Sequence, residues 1–150
     1  MSGTVSGAPV PLRELLPHTG TARLLTAVVR CDDASVTAVG EILAAHPLVR
    51  DGQAPAFLAI ELGAQAAAAM ETMRRRAEHR TGPVLGRLVR VREAQFARDT
   101  LPVNTPLDVT ACVLAQASPL AVYRISVRLD GVERVTATLS TYATGPPVAS

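Results

Sequence analysis

The 150-residue sequence contains no tryptophan and no lysine, and only two phenylalanines, two tyrosines and two cysteines. Because aromatic side chains are so few, the core must be aliphatic, built from Val, Leu, Ile and Ala. Cys31 and Cys112 are too few for a disulfide framework, and each lies in an apolar stretch. No basic start followed by an apolar run opens the chain, so no signal peptide is predicted. These features favour a cytoplasmic protein with one domain over residues 1–150.

The absence of lysine means that all 15 basic residues are arginines, and the net charge is only +2. Eight of these arginines lie between positions 74 and 98. A solvated face is the usual meaning of such a run, and an acidic protein partner is the alternative. Nucleic acid is not expected as a partner, because the run has no interleaved aromatics and no binding motif accompanies it.

Residues 55–80 predict one long helix, because good helix formers fill the stretch and its one proline stands at the start. Between Ala56 and Met70 the only charged residue is Glu61, and the only other strongly polar residue is Gln65. Their spacing of four places them on one face. The pattern indicates either a buried helix with a functional carboxylate or a surface helix with a narrow polar stripe. The uncharged run is shorter than the roughly 20 residues that a membrane span needs.

The rest of the chain predicts antiparallel strands. The predicted strands cover residues 22–30 and 35–44 before the helix, then 84–96, 107–115, 120–129 and 132–142 after it. Asp130-Gly131 is a strong signal for a two-residue hairpin. Residues 1–10 and 145–150 are predicted to be loose tails. A sheet that buries one face needs another element packed against that face, and an apolar helix needs neighbours packed around it. The sequence therefore predicts an α+β hotdog fold, a curved antiparallel sheet wrapped around one long central helix.

Three stretches resemble the 3-hydroxyacyl-acyl carrier protein dehydratases of fatty-acid and polyketide assembly. They are the Leu-Pro-His segment in 15–25, the His46-Pro47 loop with the Glu-x-x-x-Gln helix start in 55–65, and the later strand and loop in 95–109. Fifteen positions separate His46 from Glu61, one more than is usual in that family, and Pro55-Ala56 replaces its Pro-Gly. These departures make the sequence similar to the divergent branch from aryl-polyene and related polyene gene clusters.

The resemblance implies that His46 and Glu61 are the catalytic pair, with the histidine of one protomer meeting the carboxyl group of the other. The chemistry agrees with these residue types. A histidine can take the C2 proton of a 3-hydroxyacyl thioester, since its ordinary pKa is near 6.5. A carboxyl group in an apolar helix favours its protonated form and can donate to the departing hydroxyl. The implied product is a trans-2-enoyl thioester.

The same resemblance suggests how the substrate is bound. The first N–H groups of the helix, near Ala56 and Phe57, would hold the thioester oxygen. An apolar tunnel beside Leu58, Leu62 and Gly63 would take the acyl chain, and Gln65 would hydrogen-bond Glu61 or a water molecule. The predicted substrate-binding residues are Pro55, Ala56, Phe57, Leu58, Leu62, Gly63 and Gln65. No metal or organic cofactor is expected.

The expected partners are an acyl carrier protein and a second hotdog chain, in a homodimer or a heterodimer, with no membrane association. His18 is interpreted as a loop-packing residue, and His79 as a solvated residue near the helix end. Two other functions stay open, a hotdog acyl-thioesterase and a non-catalytic subunit of a heterodimeric dehydratase. The paired His46 and Glu61 favour the enzyme.

Overall fold

The computed structural model describes residues 11–79 and 85–144. The predicted tails, 1–10 and 145–150, lie outside these residues. The helices are α1 (Leu12–Leu15) and α2 (Leu58–Ala77), with a 3₁₀ turn at Gly20–Ala22. The strands are β1 (Leu25–Cys31), β2 (Ser35–Gly40), β3 (Gln53–Pro55), β4 (Leu85–Phe96), β5 (Thr100–Pro102), β6 (Leu107–Ala117), β7 (Leu120–Leu129) and β8 (Val132–Thr144).

Six of these strands form one antiparallel sheet in the order β1-β2-β6-β7-β8-β4. Two of its hairpin turns are well defined, and the one predicted at Asp130-Gly131 is confirmed. Asp32 Oδ1 accepts the backbone N–H groups of Ala34 and Ser35, each at 2.8 Å, and these bonds lower the pKa of the Asp32 carboxyl group. At the other turn, Asp130 and Gly131 adopt φ values of 50° and 76°, the left-handed region that this hairpin requires.

Helix α2 packs on β1, β2, β6, β7 and β8, so the sheet wraps around it as predicted. The predicted hotdog arrangement is confirmed. The helix ends where His79 adopts the left-handed region, with φ of 55°. His79 itself is exposed, as expected.

Two glycines allow the helix to approach the sheet closely. Gly40 in β2 lies under the Leu62 side chain, and a Cβ atom there would lie only 2.4 Å from Leu62 Cδ1. Gly63 in the helix faces β7, where an added Cβ atom would lie 2.3 Å from Ile125 Cδ1. Both contacts are with fully buried side chains, Leu62 and Ile125. The two glycines therefore set the distance between helix and sheet.

The sequence did not predict β3 and β5, which it assigned to loops. These three-residue strands pair with each other in a separate two-stranded ladder, Gln53 with Pro102 and Pro55 with Thr100. Their pairing was missed because Pro55 and Pro102 are turn signals in sequence. The two strands place the start of α2 next to the loop that follows β4.

We expect Gly63→Ala to lower the free energy of unfolding by about 1–2 kcal/mol, because overpacking against Ile125 outweighs the roughly 1 kcal/mol of helix propensity that alanine gains. Adding Ile125→Val, which removes the closest methyl group, should recover part of the loss. Gly86→Ala is the matched control, since no atom lies within 4 Å of the added Cβ there. Urea unfolding measures all three, and a Gly63→Ala protein as stable as the wild type would contradict this packing.

Candidate active site

A pocket of about 150 Å³ lies against one face of α2. The helix contributes residues spaced by three or four, which is one face of a helix. These pocket-facing helix residues are Glu61, Ala64, Gln65, Ala67, Ala68 and Glu71. The opposite walls come from the segment before β1, with Leu15, Pro17 and His18, and from β4, β7 and β8. The narrow polar stripe predicted from the Glu61–Gln65 spacing therefore faces a cleft, and the rest of the helix faces the core.

Gln65 is fully buried and makes four hydrogen bonds. Its Oε1 accepts the backbone N–H groups of Leu24 and Leu25, at 2.8 and 3.1 Å. Its Nε2 donates to the carbonyl oxygen of Ala22 at 2.7 Å and to Glu61 Oε1 at 3.1 Å. Four bonds are the full capacity of a side-chain amide. The hydrogen bond that the sequence suggested between Gln65 and Glu61 is present, but Gln65 has no donor left for a substrate.

Glu61 stands at the mouth of this pocket with His18 beside it. Its Oε1 lies 3.3 Å from His18 Nε2, and the two side chains are 43% and 30% exposed. Glu61 is therefore less buried than a carboxyl group inside an apolar helix was expected to be, because the sheet does not cover this face. The sequence analysis interpreted His18 as a loop-packing residue, whereas the structure places it in the wall of the pocket.

His46 lies in the loop between β2 and β3, half-buried. Its Nδ1 accepts the backbone N–H of Leu48 at 3.1 Å, and its own N–H and carbonyl groups form turns with Leu43 and Val49. No hydrogen bond or ion pair joins His46 to Glu61 in the described part of the chain. The predicted His46–Glu61 pair joins two protomers, so a single chain does not test it and it stays a prediction.

The two predicted oxyanion donors at the helix start, the N–H groups of Ala56 and Phe57, differ in whether they already have a hydrogen-bond partner. The Ala56 N–H donates to the carbonyl oxygen of Asp99 at 2.8 Å, so it is not free to hold a thioester oxygen. The Phe57 N–H has no hydrogen-bond partner within residues 11–79 and 85–144, and the Phe57 side chain is 54% exposed. Helix α2 begins one residue later, at Leu58. Phe57 is thus the donor that remains available at the positive end of the helix.

The predicted acyl-tunnel residues lie in the core and not in the pocket. Leu62 packs on Gly40, Gly63 packs on Ile125, and Leu58 is buried with the same cluster. These positions are on the helix face that meets the sheet, which the spacing from Glu61 alone did not reveal. Pro55 pairs with Thr100 in the short ladder and does not line the pocket.

The sequence analysis did not find the pocket residues contributed by the strands. Tyr123 lies in β7 with only 2% of its surface exposed. Burial, and then the negative charge of Glu71, raise the pKa of Tyr123 to about 12 against the opposing effect of Arg74. The hydroxyl group therefore keeps its proton at neutral pH and can donate. Arg87 and Leu88 of β4 complete this side. Strand alternation places Tyr123 on the inner face, but nothing in sequence pairs it with Glu61.

A family model of ApeP-like proteins, described as ApeP dehydratase, matches residues 10–148. The chain belongs to the ApeP-like dehydratase family. This confirms the resemblance to the aryl-polyene branch of the hotdog dehydratases. No curated protein matches this ApeP-like dehydratase.

Solved structures show the same fold. A chain of the dehydratase heterocomplex ApeI:P from Xenorhabdus doucetiae is 24% identical, with 93% of each chain covered and a TM-score of 0.82. A homologue of HP0420 from Helicobacter felis is 10% identical over 94% of this chain and 95% of that one, with a TM-score of 0.65. The TT0310 protein from Thermus thermophilus is 21% identical over 79% of this chain and 90% of that one, with a TM-score of 0.58. These likenesses show the fold.

No group of three or more His, Cys, Asp or Glu side chains that could hold a metal ion occurs among residues 11–79 and 85–144. Within the same ranges, no helix is both long and apolar enough to cross a membrane.

We expect Gln65→Leu to lower the free energy of unfolding by roughly 2–5 kcal/mol, because it leaves the buried N–H groups of Leu24 and Leu25 without acceptors. Gln53→Leu is the matched control, since the Gln53 side chain is exposed. Urea unfolding with both variants is the measurement. Equal stability of the two variants would show that the Gln65 amide does not tie the helix to β1.

Proposed function

We propose that this chain takes part in the dehydration of 3-hydroxyacyl thioesters, carried by an acyl carrier protein, to trans-2-enoyl thioesters. The observation that carries the proposal is the position of Glu61. Its carboxyl group lies at the mouth of a cleft with apolar walls, and Gln65 holds one of its oxygens. Membership of the ApeP-like dehydratase family supports the same reaction class.

Glu61 acts as the general acid in this proposal. Its proton goes to the hydroxyl group on C3, the C3–O bond breaks and water leaves. A base takes the proton from C2, and the electrons of that C–H bond form the C2–C3 double bond. The free N–H of Phe57, one turn before Glu61, holds the thioester oxygen while negative charge develops on it.

His46 is the base in this proposal, acting against the carboxyl group of a partner protomer. A base needs a free lone pair on Nε2, so the neutral ring must carry its proton on Nδ1. In the chain described here Nδ1 instead accepts the Leu48 N–H. The His46 ring must therefore release that bond when the partner completes the site.

The proposed partner is a second hotdog chain that covers strand β4. Among the described strands, this one is at the edge of the sheet and pairs with β8 alone. Its residues 86–96 are exposed on both faces, including the large apolar side chains Leu88, Val89, Val91 and Phe96. A long exposed edge strand with apolar side chains is a template for pairing with another chain. The start of β4 also lines the pocket, so a partner there borders the site.

The charges on β4 favour a different chain over a second copy. Arg87, Arg90 and Arg92 form no ion pair within the described ranges, whereas Glu93 lies 3.6 Å from Arg124 of β7. Two copies joined edge to edge would bring arginines against arginines, and like charges that face each other destabilise a strand pair. A partner with an acidic edge suits this strand. The related Xenorhabdus doucetiae structure is likewise a heterocomplex.

The acyl carrier protein is the proposed source of the substrate. Arg74 pairs with Glu71 and Arg76 pairs with Glu14, so these two arginines are already engaged within the chain. Arg80 lies outside the described residues. Arg87, exposed at the rim of the pocket, is the arginine best placed to meet an acidic carrier at the site entrance.

We expect the chain to form a 1:1 complex when it is coexpressed with its hotdog partner, and Arg90→Glu to weaken that complex by about tenfold or more, because like charges placed across an interface are strongly unfavourable. Arg30→Glu is the matched control, an exposed arginine on the opposite edge strand β1. Native mass spectrometry with titration measures both. A folded, stable homodimer of this chain alone would contradict the heterodimer.

We expect Glu61→Gln to abolish dehydration at the site that contains Glu61 while leaving the complex intact, since the amide keeps the shape but has no acidic proton. His46→Ala should lower turnover by about 10²- to 10⁴-fold, the usual contribution of a positioned general base. Mass spectrometry of the carrier-bound acyl chain gives the readout, because dehydration removes one water and a thioesterase would release the acid.

The activities of the Glu61→Gln and His46→Ala variants, taken together, distinguish a catalytic chain from a non-catalytic subunit. Full activity of either single variant refutes the catalytic assignment of that residue. Activity that survives both substitutions, with the partner present, would make this chain the non-catalytic subunit. If the protomers are identical, mixing the two variants should restore some activity, because a mixed dimer holds one intact site.

A further inference from the structure

Two side chains converge on the same oxygen of Glu61. Gln65 Nε2 donates to Oε1 at 3.1 Å, and His18 Nε2 lies 3.3 Å from that same atom. The other carboxyl oxygen, Oε2, has no hydrogen bond or ion pair in the part of the chain that the structure describes. The two oxygens of one carboxyl group therefore differ in their surroundings.

The proton of the neutral His18 ring belongs on Nε2. Its Nδ1 is buried without a hydrogen-bond partner. A buried N–H group without an acceptor is rarer and less favourable than a buried acceptor without a donor. The neutral ring thus keeps a bare Nδ1 and carries its proton on Nε2, which lies 3.3 Å from Glu61 Oε1.

The segment before His18 is attached firmly to α2. Leu15 and Leu16 are buried, and the Thr72 hydroxyl group donates to the Leu15 carbonyl oxygen at 3.2 Å. Arg76 adds an ion pair with Glu14 at 3.0 Å. Pro17 limits the backbone directly before the histidine. The His18 ring is therefore held by the same helix that carries Glu61.

We propose that His18 is a positioning residue: together with Gln65 it holds Oε1 of Glu61 and so leaves Oε2 as the oxygen that carries and delivers the proton. This inference rests on the proposed dehydration, in which the Glu61 proton must reach the hydroxyl group on C3. After transfer, the two N–H donors stabilise the carboxylate that remains. His18 itself neither gains nor loses a proton in the step.

Two amide substitutions that differ in reach test this role. In His18→Gln the side-chain NH₂ can occupy the place of the ring Nε2, whereas in His18→Asn it reaches only as far as Nδ1. In the complex with the partner, we expect His18→Asn to lower kcat roughly 10- to 100-fold, the effect of a misplaced catalytic group, with KM little changed. We expect His18→Gln to keep kcat within about threefold of the wild type by restoring the donor.

Crystal structures of the same variants give a readout that does not depend on activity. Glu61 should occupy one rotamer in the wild type and in His18→Gln, and more than one in His18→Asn. Glu71 is the internal control, since it lines the same pocket but is held by Arg74, and its rotamer should not change.

The outcomes separate the alternatives. Equal kcat values for the two amide variants, whether normal or reduced, would overturn the positioning role, because only reach distinguishes them. A reduced kcat in His18→Gln with Glu61 ordered would mean that the imidazole itself transfers a proton. If the wild-type complex shows no dehydration, the proposed function fails, and the rotamers of Glu61 still decide whether His18 positions it.

Discussion

The Gln65 amide connects the fold of this protein to its candidate site. It holds the backbone before and at the start of β1 through Ala22, Leu24 and Leu25, and it holds Glu61 through its remaining hydrogen. Because the amide is fully buried, each of these bonds must be made for the fold to be stable. The position of the acid is thus coupled to the closure of the sheet around the helix, and a substrate-binding role for Gln65 is not available.

Packing at Gly40 and Gly63 also fixes the position of α2, on the helix face that meets the sheet. Leu62 over Gly40 and Gly63 against Ile125 prevent rotation of α2 about its axis, because a small turn would drive side chains into each other. Glu61 therefore points away from the core at a fixed angle. Leu62 and Gly63, which the sequence analysis placed beside an acyl tunnel, fix the orientation of the helix in this way. The walls of the cleft come from α2, the segment before β1, and strands β4, β7 and β8.

The exposed edge strand makes the proposed function depend on a second chain. An edge with Val89 and Val91 in water, and with three arginines that form no ion pair within the described residues, is unusual for a protein that acts alone. The wall of the pocket that β4 provides is continuous with this edge. In the proposed complex, the exposed edge of β4 both binds the partner and places it next to the pocket. Glu61 and His46 of one chain then need not touch, because each acts with a residue of the partner.

The sequence by itself predicted helix α2, the six strands of the main sheet and Glu61 as the candidate acid. Helix periodicity, the Glu61–Gln65 spacing and the hairpin at Asp130-Gly131 are local signals that led to the hotdog fold, and the resemblance of the motif stretches in 15–25, 46–65 and 95–109 led to the dehydratase family. The tertiary structure alone decided which groups surround Glu61. His18 is brought to it from 43 positions away, Tyr123 joins the wall of the same pocket from 62 positions away, and Asp99 accepts the Ala56 N–H beside a ladder of two short strands. Such neighbours depend on how a sheet closes around a helix, and contacts between distant segments leave no periodic pattern in a single sequence.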